Sequence, residues 1–364
     1  MRLLSVMPTT AIGGTERQAF QRYMRYADHG IEVTLFILLR EGELSPKYAD
    51  AGITVLHLKP SLPRLIQTLR RSRFDLVETF GQRGHMIGRT AIQAVRPQPA
   101  LFSIKVSVDL QWTMLNRLLE RATEHWATKH VSNSYAGKHA LRSIGISAER
   151  IAVVPNGTHI PNDAELEVHA ERGRELRSAL GISAQAFVIL SVANLRAAKD
   201  HESLLRGFAS AQALQADSAL LLAGDGPKRE PLEQLARGLG IADRVRFLGV
   251  RSDVADLLGA ADVFVLPTHW EGMPGAVMEA MAAAVPVIAS GVGGVPELIQ
   301  HERSGFLVSP LAPDEITEAL SRLYDQPDLR RSIARQARHD ITFFSIDRQV
   351  DRWVELYRRS RLLK

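Results

Sequence analysis

Short apolar runs alternate with amphipathic stretches along the whole of this 364-residue chain, and that rhythm leaves few folds open. Uninterrupted apolar runs suit strands covered on both faces, and the stretches between them are long enough for the helices that connect parallel strands. The spacing predicts strands over 2–7, 32–38, 54–58, 76–79, 101–104, 130–134 and 151–155. A second series is predicted at 188–193, 219–223, 245–248, 263–266, 285–289 and 306–308. Between the two series, residues 158–174 are polar and carry no strand pattern, so the interdomain connection is placed there. The expected architecture is α/β: two doubly wound, Rossmann-like domains, residues 1–163 and 164–344, with ligands bound in a central cleft against the carboxyl ends of strands. The tail, 345–364, places Ile346, Val350, Trp353, Val354 and Tyr357 on one helical face and is expected to pack as a helix.

Composition narrows the chemistry. The chain has no cysteine, which removes disulfides, thiolate metal sites and a cysteine nucleophile and fits a reducing compartment. No apolar run reaches the roughly 18 residues of a membrane span, and Arg2 to Met7 enter a strand directly, so a cytoplasmic location is expected. The net charge of +5 is uneven: residues 1–160 hold 21 Lys/Arg against 12 Asp/Glu, leaving 24 against 28 in the remainder. A basic first half suits an anionic membrane surface or a phosphate-bearing acceptor. Nucleic acid is not expected, because the interleaved aromatics that stack bases are missing.

The most informative local motif is Glu271-Gly-Met-Pro-Gly-Ala-Val-Met-Glu279. The apolar run before it reads as a buried strand, and Pro274 suits the first turn of a helix. The N–H groups of Gly275, Ala276 and Val277 then belong to a helix N-terminus, which favours phosphate. Five helical steps separate Pro274 from Glu279, a rise of about 8 Å. The two carboxylates are therefore poor co-ligands for one cation, which needs its oxygens at about 2.0–2.6 Å. Separate jobs, each accepting hydrogen bonds from hydroxyls, fit better. The alternative is a helix-surface carboxylate and an N-terminal dipole partner.

Three further groups fall at predicted strand ends. Gly13 and Gly14 follow the first strand, and Thr15 and Gln18 have the spacing of a capping box. Arg196 and Lys199 follow the first strand of the second series, where a planar fork and a point charge together neutralise a diphosphate. Gly224-Asp-Gly226 follows the next strand. Each has a bland counterpart, a tight turn or a solvated basic loop, and it is their combination with the acidic pair that favours a site. Metal chemistry finds no motif: His201-Glu202 and His301-Glu302 lack the second histidine of a zinc helix. The remaining histidines, including His85, His125 and His139, are expected at surface or capping positions.

At this point the residues resemble a known family. Glu271 to Glu279 with Ala280-Met-Ala, Pro286-Val-Ile-Ala, Gly293-Gly294, Glu297 and Ser304-Gly305-Phe-Leu-Val is similar to the C-terminal half of the retaining glycosyltransferases of family 4, which have the GT-B fold. The resemblance covers nearly all of 186–345, and Gly13-Gly14-Thr15-Glu16, Asn133-Ser134 and Val154 to Gly157 extend it upstream. It implies metal-independent transfer of a hexosyl group, with retention, from a nucleotide sugar to a glycan or lipid-linked acceptor in polysaccharide or cell-envelope biosynthesis. No cofactor is implied, and a UDP-sugar is expected ahead of a GDP-sugar.

By the same resemblance, Glu271 contacts the donor sugar, Glu279 holds the ribose, and Arg196 and Lys199 bind the diphosphate. Gly272, Met273, Pro274, Gly275 and Ala276 meet the sugar and phosphates, Gly13, Gly14 and Gly224 line the donor, and Val250 and Arg251 lie beside the base. Thr15, Glu16 and Lys105 are assigned to the acceptor side, Lys105 standing near where many members carry a histidine. The resemblance also implies that the final helix crosses back onto the N-terminal domain, and it leaves open peripheral association with the inner membrane face. Ala284 replaces a common glycine and is expected to tighten packing, and Thr158-His159 replaces the usual Val-Asp. The alternatives are another GT-B enzyme, such as a sugar-nucleotide epimerase or a phosphorylase, and a non-catalytic donor-binding partner subunit.

Overall fold

The computed structural model describes residues 1–11, 13–56, 62–105, 114–214 and 217–362. The chain divides into two compact units, Met1–Gly157 with Ile346–Lys364 and Thr158–Ser345. The division falls six residues before the expected boundary at 163/164.

Among the described residues of the first unit, seven strands form one parallel sheet: β1 (Arg2–Thr9), β2 (Glu32–Arg40), β3 (Thr54–Leu56), β4 (Leu76–Phe80), β5 (Ala100–Lys105), β6 (Lys129–Ser132) and β7 (Ile151–Val153). Their order is β3-β2-β1-β4-β5-β6-β7, so the winding reverses between β1 and β4. The last two residues of the expected strand 54–58 lie outside the described residues. Side chains alternate between two covered faces: Leu3, Met7, Leu35 and Ile37 enter one apolar cluster, Leu4, Val6, Phe36 and Leu38 the other. Helices α1 (Gly14–Tyr26) and the C-terminal α14 (Ile346–Leu362) cover the first face through Ala19, Tyr23, Val350, Trp353 and Tyr357. Helices α3 (Leu62–Arg71) and α4 (Gly81–Gln93) cover the second, and α2 (Leu44–Asp50), α5 (Met114–Thr123) and α6 (Tyr135–Ser143) are the other α-helices among the described residues of this unit. Each fully buried Leu, Val or Phe contributes about 1.5–3 kcal/mol of apolar transfer, so coverage of both faces holds the sheet.

In the second unit the parallel sheet has six strands: β8 (Phe187–Val192), β9 (Ser218–Ala223), β10 (Val245–Gly249), β11 (Val263–Leu266), β12 (Val287–Ser290) and β13 (Phe306–Val308). Their order is β10-β9-β8-β11-β12-β13, reversing between β8 and β11, where Ile189 pairs with Val263. One face carries α8 (His201–Ser210), α9 (Arg229–Gly238) and α12 (Pro313–Asp325), through Leu204, Phe208, Leu232, Ile316 and Leu320. The other carries α7 (Asp163–Ala179), α10 (Val254–Gly259), α11 (Gly275–Ala282) and α13 (Pro327–Ile341). The segment placed as a connection is therefore mostly helix: Asn162 and Glu165 form a capping box and α7 runs on to Ala179. In helix α7 the buried residue is Gly173, where a Cβ would meet Gly259 backbone at 2.4 Å.

Candidate functional site

In open α/β sheets ligands bind beyond the carboxyl ends of strands where the winding reverses. In the second unit that point lies between β8 and β11, and the loops leaving these strands carry Arg196, Lys199 and Glu271. Chain geometry locks the two loops together. Thr268 Oγ1 and the His269 N–H both donate to Ala198 O at 2.9 Å, and the Thr268 N–H donates to Ser290 Oγ at 2.9 Å. The Gly294 N–H donates to Gly272 O at 2.8 Å, and Gly293 (φ +55°) lies so close that a Cβ there would stand 1.7 Å from Glu271 O. On the other side, Gly224 (φ +146°) admits Ala193 O, and its N–H donates to Gly249 O at 2.7 Å. The glycines serve the backbone here.

These anchors bring Lys199 Nζ and Glu271 Oε1 into an ion pair, the side chains 22% and 12% exposed. Asp200, next in the chain, takes the left-handed conformation (φ +36°) and caps α8 through Ser203 N–H. Behind it His201 is buried, and desolvation with the Lys199 charge pushes its imidazole down to about 4. Arg196 is exposed on the same loop. Pro274 precedes α11 at the capping position, one place before the expected first turn, and no side chain caps the helix. Met273 is buried, Gly272, Gly275 and Ala276 are half-buried, and Glu279 is half-buried further along α11. Val250, 72% exposed, and Arg251, ion-paired to Asp253, follow β10. The arrangement offers a cation, a carboxylate and a row of helix N–H groups side by side, a combination suited to an anion with hydroxyls attached.

The remaining candidates lie in the first unit. Gly13 caps α1 without a side-chain bond, and the expected Thr15–Gln18 capping box does not form. Instead Gln18 reaches Gly157, donating to its O at 2.9 Å and accepting from its N–H at 3.2 Å. Gly14 opens α1, and Glu16 lies in its first turn with a carboxyl raised by desolvation. Thr15, Gln18, Arg22, Asn133, Asn156 and Gln349 line a hollow in this unit.

Lys105 is buried rather than displayed to an acceptor: its Nζ lies 2.8 Å from Glu120, which also takes Arg89 at 2.7 Å. Desolvation, opposed by Glu120, brings the Lys105 ammonium down to about 8. Burial pushes the Glu120 carboxyl up, but Lys105 and Arg89 together hold it below its usual value. Desolvation with Arg89 and Lys105 pushes the neighbouring His130 down to about 3. His85, expected at a surface or cap, is also buried, its Nδ1 2.9 Å from Thr79 Oγ1. A second buried group escaped sequence reading: Glu78 on β4 pairs with Arg22 at 2.8 Å, with Tyr23 and Tyr357 donating to it and Trp353 under the guanidinium. A lone carboxylate amid the apolar run of β4 was its only signal.

Among the described residues no three His, Asp or Glu side chains converge as a metal site requires, and no helix is long and apolar enough to cross a membrane.

Comparison with known proteins bears on the family and the fold. Residues 173–340 match the model for glycosyl transferases group 1, and residues 12–160 match that for glycosyltransferase family 4. The Escherichia coli UDP-Gal:alpha-D-GlcNAc-diphosphoundecaprenol alpha-1,3-galactosyltransferase is 23% identical over 98% of this chain and 96% of its own. The Bacillus anthracis N-acetyl-alpha-D-glucosaminyl L-malate synthase is 32% identical over 50% of this chain, which spans 48% of that protein. In fold, Anabaena HepE, solved in complex with UDP-glucose, superposes with a TM-score of 0.86 at 22% identity, covering 98% of this chain and 99% of its own.

Proposed function

Because the chain belongs to the family 4 glycosyltransferases and has the GT-B fold, we propose that it moves a hexosyl group from a nucleoside-diphosphate sugar to a hydroxyl of a glycan or lipid-linked acceptor in polysaccharide or cell-envelope biosynthesis. The observation that carries this reading is the Lys199–Glu271 pair beside the N-terminus of α11, at the point where the second sheet reverses. Lys199, Arg196 and the first N–H groups of α11 take the diphosphate, Glu271 accepts hydroxyls of the sugar, Glu279 those of the ribose, and Val250 and Arg251 flank the base. UDP is the preferred nucleotide, in line with the UDP-sugar named for the Escherichia coli relative and the UDP-glucose held by HepE.

In the reaction, the bond from the anomeric carbon to the β-phosphate oxygen breaks and its electron pair stays on that oxygen. The acceptor oxygen bonds the same carbon and its proton passes to the departing phosphate. Positive side chains and the helix dipole stabilise the charge that develops on the leaving group, so the reading is of a metal-independent reaction. Retention places the acceptor on the face from which the nucleotide leaves.

A thermal-shift panel of nucleoside diphosphates and their sugars identifies the donor, since a ligand at 100 times its Kd adds about 2.7 kcal/mol. With that donor, Glu271→Gln and Lys199→Ala each lower turnover at least about tenfold. Unchanged turnover in both variants removes the site assignment, and proton NMR of the product's anomeric centre decides retention. The basic first half, with Leu118 and Leu119 exposed on α5, is read as a surface for anionic membranes. Liposome flotation that ignores anionic lipid and salt eliminates that membrane role.

A further inference from the structure

The ion pair between Lys199 and Glu271 sets up a competition. Both side chains are largely withdrawn from solvent, and both loops are pinned by backbone contacts, Lys199's through Ala198 O and Glu271's through Gly293 and Gly294. A diphosphate that takes Lys199 therefore deprives Glu271 of its cation and sets phosphate charge beside a carboxylate that water reaches poorly. Partial burial makes that like-charge contact more costly than it is at an open surface. The cost is offset when the incoming ligand brings hydroxyl donors for Glu271. A nucleotide sugar brings them; a bare nucleoside diphosphate does not.

We propose that Glu271, by competing with the diphosphate for Lys199, sets the site's discrimination between sugar-bearing and sugar-free nucleoside diphosphate. The role rests on the donor reading above and extends it: the same carboxylate that holds the sugar also weakens the site's grip on the spent nucleotide. The mutation that harms turnover should then improve binding of the nucleotide alone.

Isothermal titration calorimetry of the full chain with UDP and with UDP-glucose tests this, with GDP and GDP-mannose as a second pair. In Glu271→Gln the affinity for the sugar-free nucleotide rises at least about threefold while that for its sugar falls, so the ratio of the two shifts about tenfold. If Glu271→Gln does not melt cooperatively, Glu271→Ala, which removes the carboxylate without burying an amide, is read the same way. Unchanged or weakened UDP affinity in a folded variant overturns the proposal while leaving the donor site standing. A wild-type chain that binds none of the nucleoside diphosphates and sugars of the thermal-shift panel overturns the donor reading and the competition with it.

Discussion

Ala284 shows what a single residue withholds from sequence inspection. Its replacement of a common glycine reads as a small gain in packing, yet the structure holds it at φ +56°, a conformation that disfavours a Cβ. Ala284→Gly should therefore raise stability by about 0.5–1 kcal/mol after the glycine's extra unfolded-state entropy is deducted, measured by urea denaturation. A loss of stability would mean that the Ala284 methyl is worth more in contacts than it costs in strain. Lys105 teaches a related lesson. Sequence position aligns it with an acceptor-side residue, but its partners Arg89 and Glu120 come from α4 and α5, and only the fold brings these three together. The motifs that single out Glu271 and Lys199 as candidates are local and can be read in the sequence; the bond between them, 72 positions apart, cannot.

At the level of elements, every strand among the described residues was legible, most of them because parallel strands covered on both faces leave largely apolar runs in the sequence. Helix α7 was not, and its packing gives the reason. It meets α10 backbone to backbone: a Cβ on Gly173 would lie 2.4 Å from Gly259 C, and one on Gly259 would lie 2.1 Å from His169 O. The side-chain contacts beside this crossing are polar, His169 to Asp256 at 2.6 Å and Arg177 to Asp262 at 2.8 Å. A helix seated in this way needs no strong apolar stripe, so periodicity has little to detect. Gly173→Ala should cost about 1–3 kcal/mol in urea melts despite alanine's better helix propensity. Gly238→Ala, in α9 with open space around it, should gain about 0.5–1 kcal/mol. Equal effects at both glycines would refute the close crossing.

For the whole molecule, the first unit is discontinuous: its sheet is built from residues 1–157, but α14 comes from the end of the chain. Val350, Trp353, Val354 and Tyr357 of that helix fill the same apolar cluster as Tyr23 and Tyr26, and Tyr357 donates to the buried Glu78. The second unit begins and ends side by side, Thr158 bridging Ser345 and donating its N–H to Phe344 O at 3.0 Å. Residues 158–345 produced alone should melt cooperatively, whereas residues 1–345 should show the second unit's transition and lose that of the first. Two transitions in the 1–345 protein by scanning calorimetry would show that α14 is dispensable.

That discontinuity also imposes an order on biogenesis. Translation delivers the 188 residues of 158–345 between the first unit's sheet and the helix that closes it. At about 5–20 residues per second the ribosome takes roughly 10–40 s over them, a long exposure for an unfinished apolar face. The second unit can mature while the first is still waiting. Chaperone demand on this protein should accordingly fall on residues 1–157, and be relieved only when residues 346–364 emerge.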